Sequence, residues 1–246
     1  MSGDLISLRM LLVGATPAYA DRWRAGVAQA SIPIEFETNT ASAAKIALSR
    51  SDFDFCVLAH GLDDVDKTSV IEAARAKRPA PLVFVTTQPG RVRPDKTDGV
   101  LAVPANGDDA CKLVEICIRA KLPTHVLVAA DSETLRGVVR KTLTASRFDL
   151  RIHEASDSSD TLDRLRKGKI GLIFLDYNMS DLKGADILQV IKHECPNVAV
   201  VMMSSVLVRG ASGRPHLSNA LAFLKKPFYP ADVDVVLERY FGLRGR

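Results

Sequence analysis

Four residues in the second half of this 246-residue chain have types and positions that could do chemistry together: Asp131, Asp176, Ser204 and Lys226. Each stands at the end of a short apolar run, after HVLVAA, LIFL, VVMM and AFLK respectively. Two carboxylates at neighbouring strand ends repel each other, and a hard divalent cation with oxygen ligands relieves that repulsion. Mg²⁺, which keeps several of its waters, suits such a partial site. A lysine ammonium nearby can neutralise added negative charge, and a serine hydroxyl can donate to an oxyanion. The set suits phosphoryl transfer to a carboxylate, where catalysis is mostly positioning and charge neutralisation. Asp176 is the candidate acceptor. A phosphate-ester hydrolase built on an Asp nucleophile would want a second acid two residues on, and Asn178 occupies that place.

Those four ends meet only if parallel strands carry them to one sheet edge, and the hydrophobic pattern supplies the strands. Ile170 and Leu172 to Leu175 form a nearly continuous apolar run, the signature of a strand buried on both faces. From Ala185 to Ile191 the apolar residues return at helical spacing. Around this unit lie a strand before Asp131, a helix carrying Leu135, Val138, Val139 and Leu143, a strand at Leu150 to His153 and a helix at Ser159 to Arg166. VAVVMMSS and AFLKKP give two more strands, and Val233, Val236, Leu237, Tyr240 and Phe241 mark a last helix. Alternating strands and helices ask for a parallel sheet with helices on both faces.

The first half runs through the same sequence of elements, from RMLLVGATP to a helix with Ala110, Leu113, Val114, Cys117 and Ile118 in register. Ala15 falls on Asp131, Ala59 on Asp176 and Thr86 on Ser204, at offsets of 116, 117 and 118. An internal repeat of this length predicts two domains of one fold, residues 1–122 and 123–246.

The second copy resembles the receiver domain of two-component response regulators over nearly all of residues 123–246. The resemblance rests on the strand-final Asp in LDYNM with Gly184 eight residues on, the hydroxyl closing VVMMSS, and the Lys-Pro of FLKKPF. Asp131, Asp176, Ser204 and Lys226 follow one another at intervals of 45, 28 and 22 residues, which also match. It implies a CheY-like, flavodoxin-like fold in tandem, each copy a doubly wound five-stranded parallel sheet. It further implies that Asp176 is the phosphoacceptor, with Asp131, Asp176 and the backbone carbonyl of Asn178 holding Mg²⁺. Ser204 would close on the phosphoryl oxygens, Lys226 would pair with them, Phe223 would change rotamer with the switch, and Pro227 would follow a cis bond.

Two departures stand out. Receivers carry two adjacent acids after the first strand, whereas Ala130 precedes Asp131 here, so one metal-binding acid is missing. Residues 206–220 contain Gly210, Gly213 and Pro215 where receivers carry a fourth helix, and each opposes helix at about 1 kcal/mol per Gly and about 3 for Pro. In the first copy the acid positions hold Gly14 and Ala15, Ala59 replaces the acceptor and Val103 replaces the lysine, leaving Thr86 alone. That half resembles a degenerate receiver with a shortened or absent fourth helix and a role in protein contact. Asp63 and Asp64 are placed in its loop, and His60 is read as polar surface.

Composition narrows the alternatives. The net charge of +4 lies in the second half and is spread out, without the basic stripe and interleaved aromatics of a nucleic-acid surface. No apolar run approaches the length of a membrane span, and Met1 to Arg9 do not lead into a signal sequence. Cys56, Cys111, Cys117 and Cys195 lack metal-ligand spacing and read as reduced thiols of a cytoplasmic protein. The expectation is a response regulator without an output domain, a signalling module rather than a turnover enzyme. It would take its phosphoryl group from a sensor histidine kinase or phosphotransfer protein and act on an unknown downstream protein. Ile116 and Val235, apolar and off the inward stripes of their helices, suggest a homodimer. The competing expectation is a phosphorylation-independent scaffold. The phosphoacceptor reading requires Lys226 to face Asp176, and Asp176 to be reachable from solvent.

Overall fold

The structure, a computed structural model, describes residues 7–88, 93–180, 184–205 and 220–243. The chain forms two compact units, Met1–Lys121 with Phe241–Arg246, and Leu122–Tyr240. The closing residues from Phe241 on therefore group with the first unit, whereas the repeat placed them with the second.

In the first unit the chain runs β1 (Leu8–Val13), α1 (Pro17–Val27), β2 (Ile34–Asn39), α2 (Ala41–Arg50), β3 (Phe55–Leu58), α3 (Asp64–Ala76), β4 (Leu82–Thr87), β5 (Gly99–Ala102) and α4 (Gly107–Lys121). The strands form one parallel sheet in the order β2-β1-β3-β4-β5. β3 is fully buried, as its unbroken apolar run requires when helices cover both faces. Local polar residues start the helices: Thr40 accepts from the Ala43 N–H, and Asp63 from the Asp66 N–H at 2.8 Å. Asp63 is thus the N-cap and Asp64 the first residue of α3, not loop residues as expected.

Among the described residues no helix lies between β4 and β5, and a polar tie holds that connection instead. The Arg75 guanidinium donates to the Lys96 carbonyl from Nε and Nη2 at 2.9 and 2.7 Å, and reaches Asp98 Oδ2 at 2.6 Å. Asp98, 1% exposed, also accepts the Val83 N–H at 2.6 Å. On the outer edge of β5 the Val100 N–H donates to the Leu243 carbonyl at 2.6 Å, and Leu243 is fully buried. A Cβ at Gly99 would lie 2.6 Å from that of Leu243, so the close approach requires glycine. Ile116, expected to be an exposed contact residue, is half-buried beside the Gly242 turn.

In the second unit the order is β6 (Thr124–Ala129), α5 (Glu133–Thr144), β7 (Leu150–Ala155), α6 (Ser158–Arg166), β8 (Leu172–Asp176), α7 (Gly184–Glu194), β9 (Ala199–Ser204), β10 (Ala222–Lys225) and α8 (Pro230–Phe241). The parallel sheet has the order β10-β9-β8-β6-β7, the same topology as the first. Both sheets are thus the five-stranded, doubly wound kind the repeat implied. The core on one face gathers Leu127, Ile173, Leu175, Leu188, Ile191 and Met202. The expectation of an irregular segment at 206–220 falls outside the described residues but for Ala220. No helix among the described residues is long and apolar enough to cross a membrane. All four cysteines are free, and burial pushes the Cys56 thiol up to about 12, so it is inert as a nucleophile.

The parallel register of β6 and β7 brings together two histidines that lie far apart in sequence. His125 Nδ1 and His153 Nε2 are 2.8 Å apart, with the rings nearly parallel at 14°. Burial, then the neighbouring His125, Arg164 and Lys169, hold the His153 imidazole below its ordinary value. A base whose folded pKa is depressed binds fewer protons folded than unfolded, so stability is intact above its unfolded pKa and falls as pH drops toward the folded one. Denaturation midpoints of the second unit should therefore decline from pH 7.5 to 5.5, and His153→Gln should flatten that slope.

The first unit contains the only tryptophan, Trp23, fully buried, so its emission reports unfolding of that unit. Arg75→Met removes a guanidinium from the buried Asp98 carboxylate and should cost about 3 kcal/mol, read as a lower denaturant midpoint of Trp23 emission.

Candidate functional site

The site is assembled by three adjacent strands of the second sheet. β8 ends in Asp176, whose register partner on β9 is Met203, and Ser204 follows to close β9. On β10 Lys225 is paired with Ser204, which sets Lys226 one residue beyond the sheet. Backbone bonds continue the ladder past that point: the Lys226 N–H donates to the Ser204 carbonyl at 2.7 Å and the Tyr177 N–H to the Met203 carbonyl at 2.8 Å. The Lys226–Pro227 peptide is cis, as the receiver resemblance implied.

Lys226 faces Asp176. Its ammonium donates to both carboxylate oxygens, at 2.9 Å to Oδ1 and 3.0 Å to Oδ2. The Asn178 N–H adds a donor to Oδ1 at 3.1 Å. Asp176 is only 3% exposed, whereas the Lys226 side chain retains 20%. The first condition set by the sequence is met. The second is met poorly, because the ammonium lies across the carboxylate. Ser204 is buried in the same row of strand ends, and Phe223 on β10 is half-buried against the core of Leu175, Leu188 and Met202.

Asp131, two residues past β6, is exposed, and Ala130 before it is fully buried. Their backbone is held by a residue the sequence did not single out. Arg136 Nη1 donates to the carbonyls of Ala130 and Asp131 at 2.8 and 3.1 Å, while its Nε lies 3.3 Å from Glu154. Arg136 stands one turn into α5 and Glu154 on β7, so only the folded register unites them. Glu133, the other acid near Asp131, begins α5 and is exposed.

The first unit shows what the same frame does without its acid. Ala59 follows β3 where Asp176 ends β8, and the Tyr19 hydroxyl of α1 donates to Thr86 Oγ1 at 3.0 Å. Thr86 in turn donates to the Leu58 carbonyl at 3.3 Å. The Tyr19 ring also meets His60 edge-on with centroids 5.1 Å apart. Burial pushes the Tyr19 phenol up, so it remains a donor at neutral pH.

Two doubly wound parallel units in tandem, one with an acid and a lysine paired at its strand ends, define a receiver-type class of protein. The response regulator receiver domain is the family whose profile matches, over residues 126–238. A two-component response regulator of rice, Oryza sativa, named ORR11, is 30% identical over 127 residues, half of this chain and 85% of that protein. The chemotaxis protein CheY-3 of Vibrio cholerae is 26% identical over 118 residues, 47% of this chain and 90% of its own. A solved structure described as a probable two-component system response regulator/GGDEF domain protein aligns with 96% of this chain and 98% of its own, at 20% identity and a TM-score of 0.54. The chain belongs to the response regulator family, and that last likeness in fold extends over 96% of its length.

Removing one partner of a nearly buried ion pair strands the other. Lys226→Met should destabilise the second unit by about 3 kcal/mol, and adding Asp176→Asn should restore most of that loss. Chemical denaturation followed by far-ultraviolet circular dichroism measures both.

Proposed function

We propose that Asp176 accepts a phosphoryl group from the phosphohistidine of a sensor histidine kinase or phosphotransfer protein. A carboxylate oxygen bonds to phosphorus as the N–P bond breaks, and the imidazole leaves with a proton from solvent. The observation that carries this reading is the two-pronged contact between Lys226 and Asp176. An ammonium already on both oxygens can turn to the incoming phosphoryl oxygens and balance the added charge, about −1.5 to −2. Since Asp176 is 3% exposed, Lys226 must swing aside for a donor to reach it. Ser204 would donate its hydroxyl to a phosphoryl oxygen, and Phe223 would repack as the strand end shifts.

The donor set fits Mg²⁺ in a limited way. Asp131, Asp176 and the Asn178 carbonyl would hold it, a set of hard oxygens suited to an ion that keeps most of its waters. No group of three His, Cys, Asp or Glu side chains able to hold a metal occurs among the described residues. Bound there, the ion would supply charge neutralisation at the transferring phosphoryl group.

On this reading the first unit takes no phosphoryl group, and the output is a changed protein contact rather than turnover. Residues 1–122 and 123–246 are its two modules, the first a degenerate receiver. The surface of α8, where Val235 is 44% exposed, would meet a downstream protein or a second copy. A cytoplasmic site suits a partner kinase.

Ala130 and the near-closure of Asp176 favour a second reading, a receiver-type scaffold that acts unphosphorylated. Incubation with acetyl phosphate and Mg²⁺, followed by intact mass, separates the two. The wild type should gain one phosphoryl group and Asp176→Ala none. Lack of gain in the wild type, or equal gain in both, leaves the scaffold.

A further inference from the structure

The first unit keeps a cleft that its lost acid chemistry leaves without a purpose. It opens beside the carboxyl ends of β3 and β4, has a volume of about 260 Å³, and is lined by His60, Asp64, Lys67, Thr86, Thr87 and Gln88. Lys67, one turn into α3, is 8% exposed. Its Nζ has one partner among the described residues, Asp64 Oδ1 at 3.0 Å, and the Asp64 side chain is itself 94% exposed. An ammonium carries three donors, so two remain for whatever fills the cleft.

The rest of the lining adds groups that can donate. The half-buried Thr87 hydroxyl has no hydrogen-bond partner among the described residues, and Gln88 extends the wall to the surface. Thr86 contributes nothing further, since its hydroxyl is already bound to Tyr19 and Leu58. In the second unit the lysine at the strand ends is satisfied by a buried carboxylate, whereas here Ala59 stands in that carboxylate's place. An ammonium and a hydroxyl lining one cleft that holds no buried acid suit an occupant that brings negative charge and acceptor oxygens.

We propose that the first unit binds a small oxyanion in this cleft, non-covalently, with Lys67 as the charged contact and Thr87 as the neutral one. The ligand class is a phosphate or carboxylate carried on a molecule small enough for the cleft. Asp64 competes with it for the ammonium. Every residue in this site belongs to the first unit, so the proposal does not rest on phosphorylation at Asp176.

The test is a titration of the ¹⁵N-labelled full chain with inorganic phosphate, and separately with acetate, at ionic strength held constant with sodium chloride. Saturable shifts at the Lys67, Thr87 and Gln88 amides are expected for at least one anion. Lys67→Met should weaken binding at least tenfold, and Asp64→Asn should tighten it severalfold by removing the competitor. Unchanged Trp23 emission verifies that each variant folds. Shifts that never saturate for either anion overturn the proposal, as does equal binding by wild type and Lys67→Met.

Discussion

A carboxylate almost out of water must be matched by positive charge or by hydrogen bonds, and at Asp176 Lys226, just past β10 and two strands away, supplies both. The pairing is not a matter of two flexible side chains meeting on a surface. Asp176 ends a strand buried on every residue, and Lys226 is tied by its own backbone N–H to the carbonyl of Ser204. Three strands in parallel register thus set the separation before either side chain chooses a rotamer. What the side chains add is a network: one ammonium on two oxygens, with the Asn178 N–H on one of them. The cost of taking both charges from water is offset only while this geometry holds, which couples the site to the integrity of β8, β9 and β10.

The first unit separates the demands of the fold from those of the site. Its sheet has the same order without a carboxylate, without a lysine at the strand ends and, among the described residues, without a helix between β4 and β5. Where the charged pair would lie it has a neutral chain of hydrogen bonds from Tyr19 through Thr86 to Leu58, and where the helix would lie it has the Arg75–Asp98 tie. The parallel sheet therefore does not need the chemistry. The chemistry needs the sheet, since only strand ends in register can press an acid and a lysine together.

This asymmetry explains what the sequence could reveal. Buried strands print continuous apolar runs, helices print a repeating stripe, and the two halves print them in the same order, so the sheets and the strand-end residues were legible. The Lys226–Asp176 contact followed once both were assigned to strand ends on one edge of the sheet. Arg136 with Glu154, and His125 with His153, were not legible, because each joins residues whose meeting depends on the register of β6 against β7 and of α5 upon them. Ile116 was misread for a similar reason. Its helix stripe marks it as outward, and the turn at Gly242 that covers it comes from the far end of the chain. Local periodicity records which residues avoid water, and says little about which distant residue accomplishes it.

The alanine at 130 changes the electrostatics of the proposed reaction in two opposed ways. Asp131, Asp176 and Lys226 together leave one net negative charge at the strand ends, and a second acid in place of Ala130 would leave two. A smaller negative potential attracts a divalent cation less strongly, which weakens assembly of the site before transfer. The same deficit lessens repulsion toward a phosphoryl group once it has arrived, because one fewer carboxylate opposes it. Recruitment is harder and retention easier. Burial of Ala130 works in the same direction, since an acid placed there would have to be desolvated, and the Arg136 guanidinium that could have paired with it is already bound to two carbonyls and Glu154. On the proposed function, the second unit would receive its phosphoryl group with reluctance and hold it well, a balance suited to a signal that persists rather than one that flickers.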